Sequence, residues 1–105
     1  MKRSTEGKRI TEVEILGEPH SVKYKKIKHY GYYKFGELTI KSNDTKRSQM
    51  RTLVHEMGHG YYEQTRDPDS SATEEDFARV FELGVVDLVR NNWAVIERLK
   101  GEVDG

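Results

Sequence analysis

Residues 55–59 of this 105-residue chain read His-Glu-Met-Gly-His, the pattern H-E-x-x-H. Positions i and i+4 lie one above the other on an α-helix, so His55 and His59 can offer two imidazoles to a single cation. Glu56 projects beside them, placed to take a proton from a water that the cation activates, without itself being a ligand. With this chain's usage of His and Glu the pattern would arise by accident about 0.02 times, so two unconnected surface histidines are the weaker explanation. The chain has no cysteine, which removes thiolate ligands, thiol nucleophiles and disulfides together.

A catalytic zinc usually has three protein ligands. A third histidine six residues after His59 would complete the metzincin pattern, but that position is Thr65. His20 and His29 fall upstream and read as surface or strand-face residues. What remains is a carboxylate from a following helix, the gluzincin arrangement. On a helical wheel with Phe77 at zero and about 100° per residue, the apolar face centres near about 40–80°. Glu74 then falls at about 60°, Glu82 at about 140° and Glu75 at about 160°. Glu74 sits in the first turn, where N-terminal capping explains it equally well. Glu82 lies in the helix interior beside Gly84, a glycine that would let two helices approach. Glu82 is therefore the favoured third ligand; Glu75, Glu74, or a site with no third protein ligand are the alternatives. The expected complement is one Zn2+ per chain on His55, His59 and Glu82, with Glu56 catalytic.

The elements that must position these groups are readable around them. Ser42-Asn43-Asp44-Thr45 is helix-capping chemistry, and Met50, Leu53, Val54, Met57 and Tyr61 recur at three- and four-residue steps, which predicts a helix from about Lys46 to about Gln64. Residues 66–72 are turn-formers. Thr73 caps a second helix whose apolar face is Phe77, Val80, Phe81, Val85, Leu88 and Val89, interrupted at Asn91-Asn92 before a last segment from Trp93 to Leu99. Upstream, alternation marks strands at Val13–Ile15, Val22–Tyr24 and Leu38–Ile40, with a stop at Gly17-Glu18-Pro19. Tyr30–Gly36 reads as either strand or ordered loop. The expected fold is α+β: a three-stranded, mostly antiparallel sheet packed on the motif helix and a second helix, a minimal zincin-like domain. Residues 1–9 form a flexible polar tail, and 10–105 a single domain. Glu37–Lys41 is the expected edge strand of the cleft, pairing with an extended peptide.

Hydrophobic and charged residues each make up 34% of the chain, lean but globular with ten aromatics to carry a small core. Basic and acidic residues balance at 18 each, yet residues 1–51 hold 13 basic and 6 acidic residues and the remainder the reverse excess. Complementary solvated faces explain this more simply than a nucleic-acid partner does, although Lys23, Lys25, Lys26, Lys28 and Lys34 keep the second reading open. No apolar run approaches a membrane span and the first residues lack a signal-peptide core, so a soluble cytoplasmic protein is the expectation.

In this context the chain resembles the small H-E-x-x-H proteins of phages and prophages, metallopeptidase-like and related in pattern to the ImmA/IrrE group. The resemblance spans Ile10 to Leu99. It rests on the meander at Thr11–Gly17 and Ser21–Lys25, the strand Glu37–Lys41, the helix around Thr52-Leu53-Val54-His55-Glu56-Met57-Gly58-His59, and the opening Thr73-Glu74-Glu75-Asp76-Phe77. It implies that His55 and His59 bind zinc, that Glu56 is the base, and that the substrate is a peptide or protein, in host cytoplasm if phage-encoded. The departure is Ala78, where many such proteins place a glutamate; either a neighbour substitutes or the metal is held weakly. The expected function is zinc-dependent peptide hydrolysis. The alternative is an inactive zinc-binding interaction protein acting on a partner, with nucleic-acid binding third. Tyr61, Tyr62 and Tyr30–Tyr33 can offer a phenol to an oxyanion, though ordinary aromatic packing is the preferred account.

Overall fold

The computed structural model describes residues 9–65 and 73–104, so the expected tail (apart from Arg9) and the turn at 66–72 lie outside the described residues. Four strands, β1 (Glu12–Ile15), β2 (Glu18–Lys25), β3 (Gly31–Lys34) and β4 (Glu37–Lys41), precede three helices, α1 (Lys46–Thr65), α2 (Glu74–Asn91) and α3 (Trp93–Asp104). The α+β class stands, but the sheet has four strands, not three, and is mixed. Its order is β1-β2-β4-β3, with β1–β2 and β3–β4 antiparallel and β2–β4 parallel.

The extra strand is the aromatic segment, and its pairing corrects a second expectation. β4 is an inner strand, flanked on both sides, so β3 rather than Glu37–Lys41 forms the edge next to α1. Two short hairpins build the sheet. Leu16 (φ 52°) and Gly17 (φ 83°) turn the first, and Phe35 (φ 51°) and Gly36 (φ 75°) turn the second. Positive φ at both central residues matches the twist of the flanking strands. Leucine and phenylalanine pay about 1–2 kcal/mol each for that conformation. The expected break at Glu18-Pro19 is instead the start of β2. Proline is tolerated there because the ladder to β4 begins only at Ser21.

Alternation then sorts the side chains. Ile15, His20, Val22, Leu38 and Ile40 are buried, and Val22, Leu38 and Ile40 pack with Leu53 of α1, which with Ala78 of α2 is also buried. Thr39 faces the other way, between Lys23 of β2 and Tyr32 of β3, and is nevertheless 1% exposed with no partner for its hydroxyl among the described residues. An unsatisfied buried hydroxyl is costly, so Thr39→Val is expected to stabilise the protein by about 1 kcal/mol, read as a raised midpoint in thermal or urea unfolding.

α1 lies between the sheet and α2. Its start is fixed by Thr45, whose hydroxyl accepts from Ser48 N at 3.1 Å, and by Asp44, which accepts from Thr45 N at 2.8 Å. Packing on both sides explains two mid-helix glycines that would each cost about 1 kcal/mol relative to alanine on an open helix. A Cβ on Gly60 would stand 2.5 Å from Ile15 Cδ1, and one on Gly58 would stand 3.0 Å from Ala78 Cα in α2. Gly58 therefore sets the close approach of the helices. Gly84, expected in that role, meets nothing from outside its own turn within 4 Å of its would-be Cβ among the described residues. Ala78 is fully buried at this crossing, where a longer side chain would have no room. Packing thus accounts for alanine at this position.

Candidate metal centre

α1 and α2 run antiparallel. Phe77 meets Tyr62, Phe81 meets Tyr61, and the carboxylates of α2 align along the His55–His59 face. The imidazoles stand one turn apart with ring centroids 5.2 Å from each other. One donor atom each from His55, Glu56 and His59 lies within 4.8 Å of the others, a set able to hold a metal ion. Glu56 is buried on the side of α1 that meets the sheet, whereas both histidines are only partly covered.

Three carboxylates from α2 complete the arrangement. Glu75 Oε1 is 2.7 Å from His55 Nε2, and its Oε2 is 3.4 Å from His59 Nε2, so one carboxylate spans the Nε2 atoms of both rings. The outer nitrogens have partners of their own. His55 Nδ1 lies 3.1 Å from Glu82 Oε1, and His59 Nδ1 lies 2.7 Å from Glu74 Oε2. Glu82 is also anchored by Arg51, at 2.9 Å from Nε and 2.8 Å from an Nη. Thr73 fixes the register by accepting from Asp76 N at 3.1 Å, which holds Glu74 and Glu75 in the first turn of α2.

The electrostatics separate these acids. Burial pushes the Glu56 carboxyl above its ordinary value; His59 and His55 work against that, and Glu75 and Glu74 add to it. Desolvation also works to raise Glu75, but the hydrogen bond from His55 and the charges of His55, His59 and Arg79 outweigh it and hold Glu75 below the usual range. Glu75 thus remains an anion while Glu56 is the more basic of the two.

The pair opens into a cleft of about 830 Å³. Tyr30–Tyr33 of the β3 edge and its approach form one wall, and His55, Glu56 and His59 line it together with Glu74, Glu75 and Glu82. Of the histidines upstream, His29 reaches the cleft. His20 is buried in β2, with Nδ1 2.8 Å from Glu18 O and Nε2 3.4 Å from the Tyr33 hydroxyl. Tyr61 and Tyr62 pack on Phe81 and Phe77, in line with the aromatic-packing account.

The structure therefore brings every expected site residue to one place, but puts Glu82 on the outer nitrogen of His55 and Glu75 between the rings. The helical wheel could not separate these two, which differ by about 20° in angle but by two turns along the axis. Arg51 was not singled out, although its signal was present: Arg47, Arg51, His55 and His59 recur every fourth residue along one face of α1. No family model matches the chain, and no curated protein or solved structure matches it either.

Proposed function

We propose that this protein is a zinc-dependent peptidase of gluzincin type, with His55, His59 and Glu75 holding the metal and Glu56 acting as general base. The observation that carries this reading is the convergence of two imidazole Nε2 atoms on the Glu75 carboxylate. A proton on the His55 Nε2 would hold this 2.7 Å pair together when no metal is bound, and a cation shared among the three groups would take that proton's place. Glu82 and Glu74 accept from the two Nδ1–H groups, which selects the tautomer that leaves each Nε2 free for metal and fixes both rings. Glu82 is in turn held by Arg51. Oxygen and nitrogen donors without sulfur fit zinc and other borderline divalent ions.

When bound, zinc supplies Lewis-acid polarisation of the scissile carbonyl and makes adjacent water more acidic. The chain's own groups do the remainder. Glu56, with its raised pKa, takes a proton from the attacking water and passes it to the leaving amine. The outward backbone edge of β3 receives the peptide as an added strand, which lays the scissile bond along the imidazole face. A peptide or protein substrate follows from that exposed strand edge. None of the described helices is long and apolar enough to cross a membrane.

The test is metal content by mass spectrometry of protein purified without a histidine tag and loaded with zinc, followed by cleavage of a peptide library. About one zinc per chain with cleavage supports the proposal. One zinc per chain without cleavage favours an interaction protein that uses zinc as a pin, and absence of zinc from the loaded protein defeats both.

A further inference from the structure

The cleft carries opposite charges toward its two ends. α1 lines it with Arg47, Arg51, His55 and His59, which follow at four-residue steps on one face. α2 supplies the acids, and its antiparallel course sets Glu74 at His59 and Glu82 at His55 and Arg51. None of these acids reaches Arg47. Among the described residues, Arg47 lines the cleft and makes no ion pair or side-chain hydrogen bond. Asp44, its nearest acid in the chain, already accepts from Thr45 N at 2.8 Å and from the Ser48 hydroxyl, and does not line the cleft. The facing wall at this end is the approach to β3. Lys41 N bonds Tyr30 O at 2.8 Å and Gln49 donates to Lys41 O at 2.9 Å, which ties Tyr30 to the start of α1. From there β3 runs beside α1 toward the histidines. A Cβ on Gly31 would stand 2.7 Å from Thr52 Cγ2, and one on Gly60 would stand 3.2 Å from Tyr33 Cε1. A strand added to the β3 edge therefore lies along the line from Arg47 to His59.

We propose that Arg47 is the specificity-determining residue of this cleft and holds a carboxylate of the bound peptide. The proposal rests on the peptidase reading for the bond that is cut, though not for the grip on the carboxylate. Two turns of helix separate Arg47 from His55, a rise of about 12 Å. An extended peptide covers that distance in about three or four residues, which places the carboxylate relative to the scissile bond. Arg51 cannot serve instead, because Glu82 already occupies its Nε and one Nη. Arg47 keeps its guanidinium fork free among the described residues, and such a fork matches a carboxylate with two parallel N–H···O bonds. An amide in the same place offers one oxygen and turns an N–H2 toward the guanidinium. A lysine there meets Arg47 as a like charge. The carboxylate comes from an Asp or Glu side chain or from the peptide's own C-terminus, and amidating that terminus tells the two apart.

The test pairs cleavage with binding on the zinc-loaded full chain. The peptides carry Glu, Gln or Lys at each position in turn, with free or amidated C-termini. Cleavage is read as kcat/KM, and binding as the anisotropy of labelled peptides on the parent and on Glu56→Gln protein. The expected result is a preference of about 10-fold or more for Glu over Gln at one position. Arg47→Gln is expected to use the two equally and Arg47→Glu to prefer Lys there, both with the parent's zinc content. A preference for free over amidated C-termini that Arg47→Gln removes also supports the proposal, with the terminal carboxylate as the group held. Cleavage indifferent to Glu, Gln and amidation overturns it and leaves the peptidase reading intact. If no peptide is cleaved, the peptidase reading fails and binding decides. Tighter binding of carboxylate peptides that Arg47→Gln removes then upholds the role of Arg47, and equal binding or none overturns it. A preference that survives in Arg47→Gln overturns it as well.

Discussion

Glu56→Gln protein is expected to carry the same zinc as the parent while its peptide hydrolysis falls by about 100-fold or more, the usual worth of a general base. Gln is close in shape to Glu and fills the same buried position, so the fold has no reason to change. It cannot accept the proton from water at neutral pH, and because it also lacks the carboxylate's charge, zinc content is read beside turnover. His59→Ala is the necessary companion. It deletes one imidazole of the pair and is expected to lose both zinc and turnover. Hydrolysis that survives in purified Glu56→Gln would remove Glu56 from the mechanism. Loss of zinc from Glu56→Gln would make it a ligand, which its place within 4.8 Å of both histidine donors permits geometrically.

The second large effect separates two carboxylates that sequence reasoning ranked the other way. If Glu75 is the third ligand proposed above, Glu75→Ala is expected to weaken zinc binding by about 100-fold or more, because it would strip a coordinating oxygen. Glu82→Ala is expected to cost about 10-fold, because it frees the outer nitrogen of His55 without touching the metal. Cobalt in place of zinc sharpens the comparison. Its visible spectrum reports the coordination shell, so it should change in Glu75→Ala and persist in Glu82→Ala. The opposite pattern would return the third position to Glu82 and make Glu75 the outer partner.

Much of this site was legible from local sequence. The helix spans around the motif and after Thr73 follow from caps and apolar spacing, since the hydrogen bonds that define them close within a turn. The interruption at Asn92 was legible too, and its N–H returns to Leu88 O at 2.9 Å as a helix-ending bond. The burial of α1 was less so. Gln49, Thr52 and Glu56 are buried while Met50 is exposed, because the helix is enclosed on two sides and the face that carries these three residues turns toward the sheet. Counting apolar residues does not see a buried polar face. The parallel ladder between β2 and β4 had no local signal, because parallel pairing needs no turn between the strands that meet. β3 was equally hidden. Its aromatic residues occupy both faces, so the alternation that announces a half-buried strand is missing.

The two hairpins have a consequence for how the cleft comes into being. Each closes over a two-residue turn, so both can form early and separately, while the sheet becomes continuous only when β4 docks on β2. β3 reaches the sheet as the outer half of the second hairpin. The strand edge proposed to receive a peptide is therefore built before it is anchored, and its position beside Glu56 is set by a single seam between two preformed parts. On the proposed function, loosening that seam is expected to disorganise substrate alignment while leaving the helix-borne ligands together, so that zinc content and turnover separate under mild denaturation.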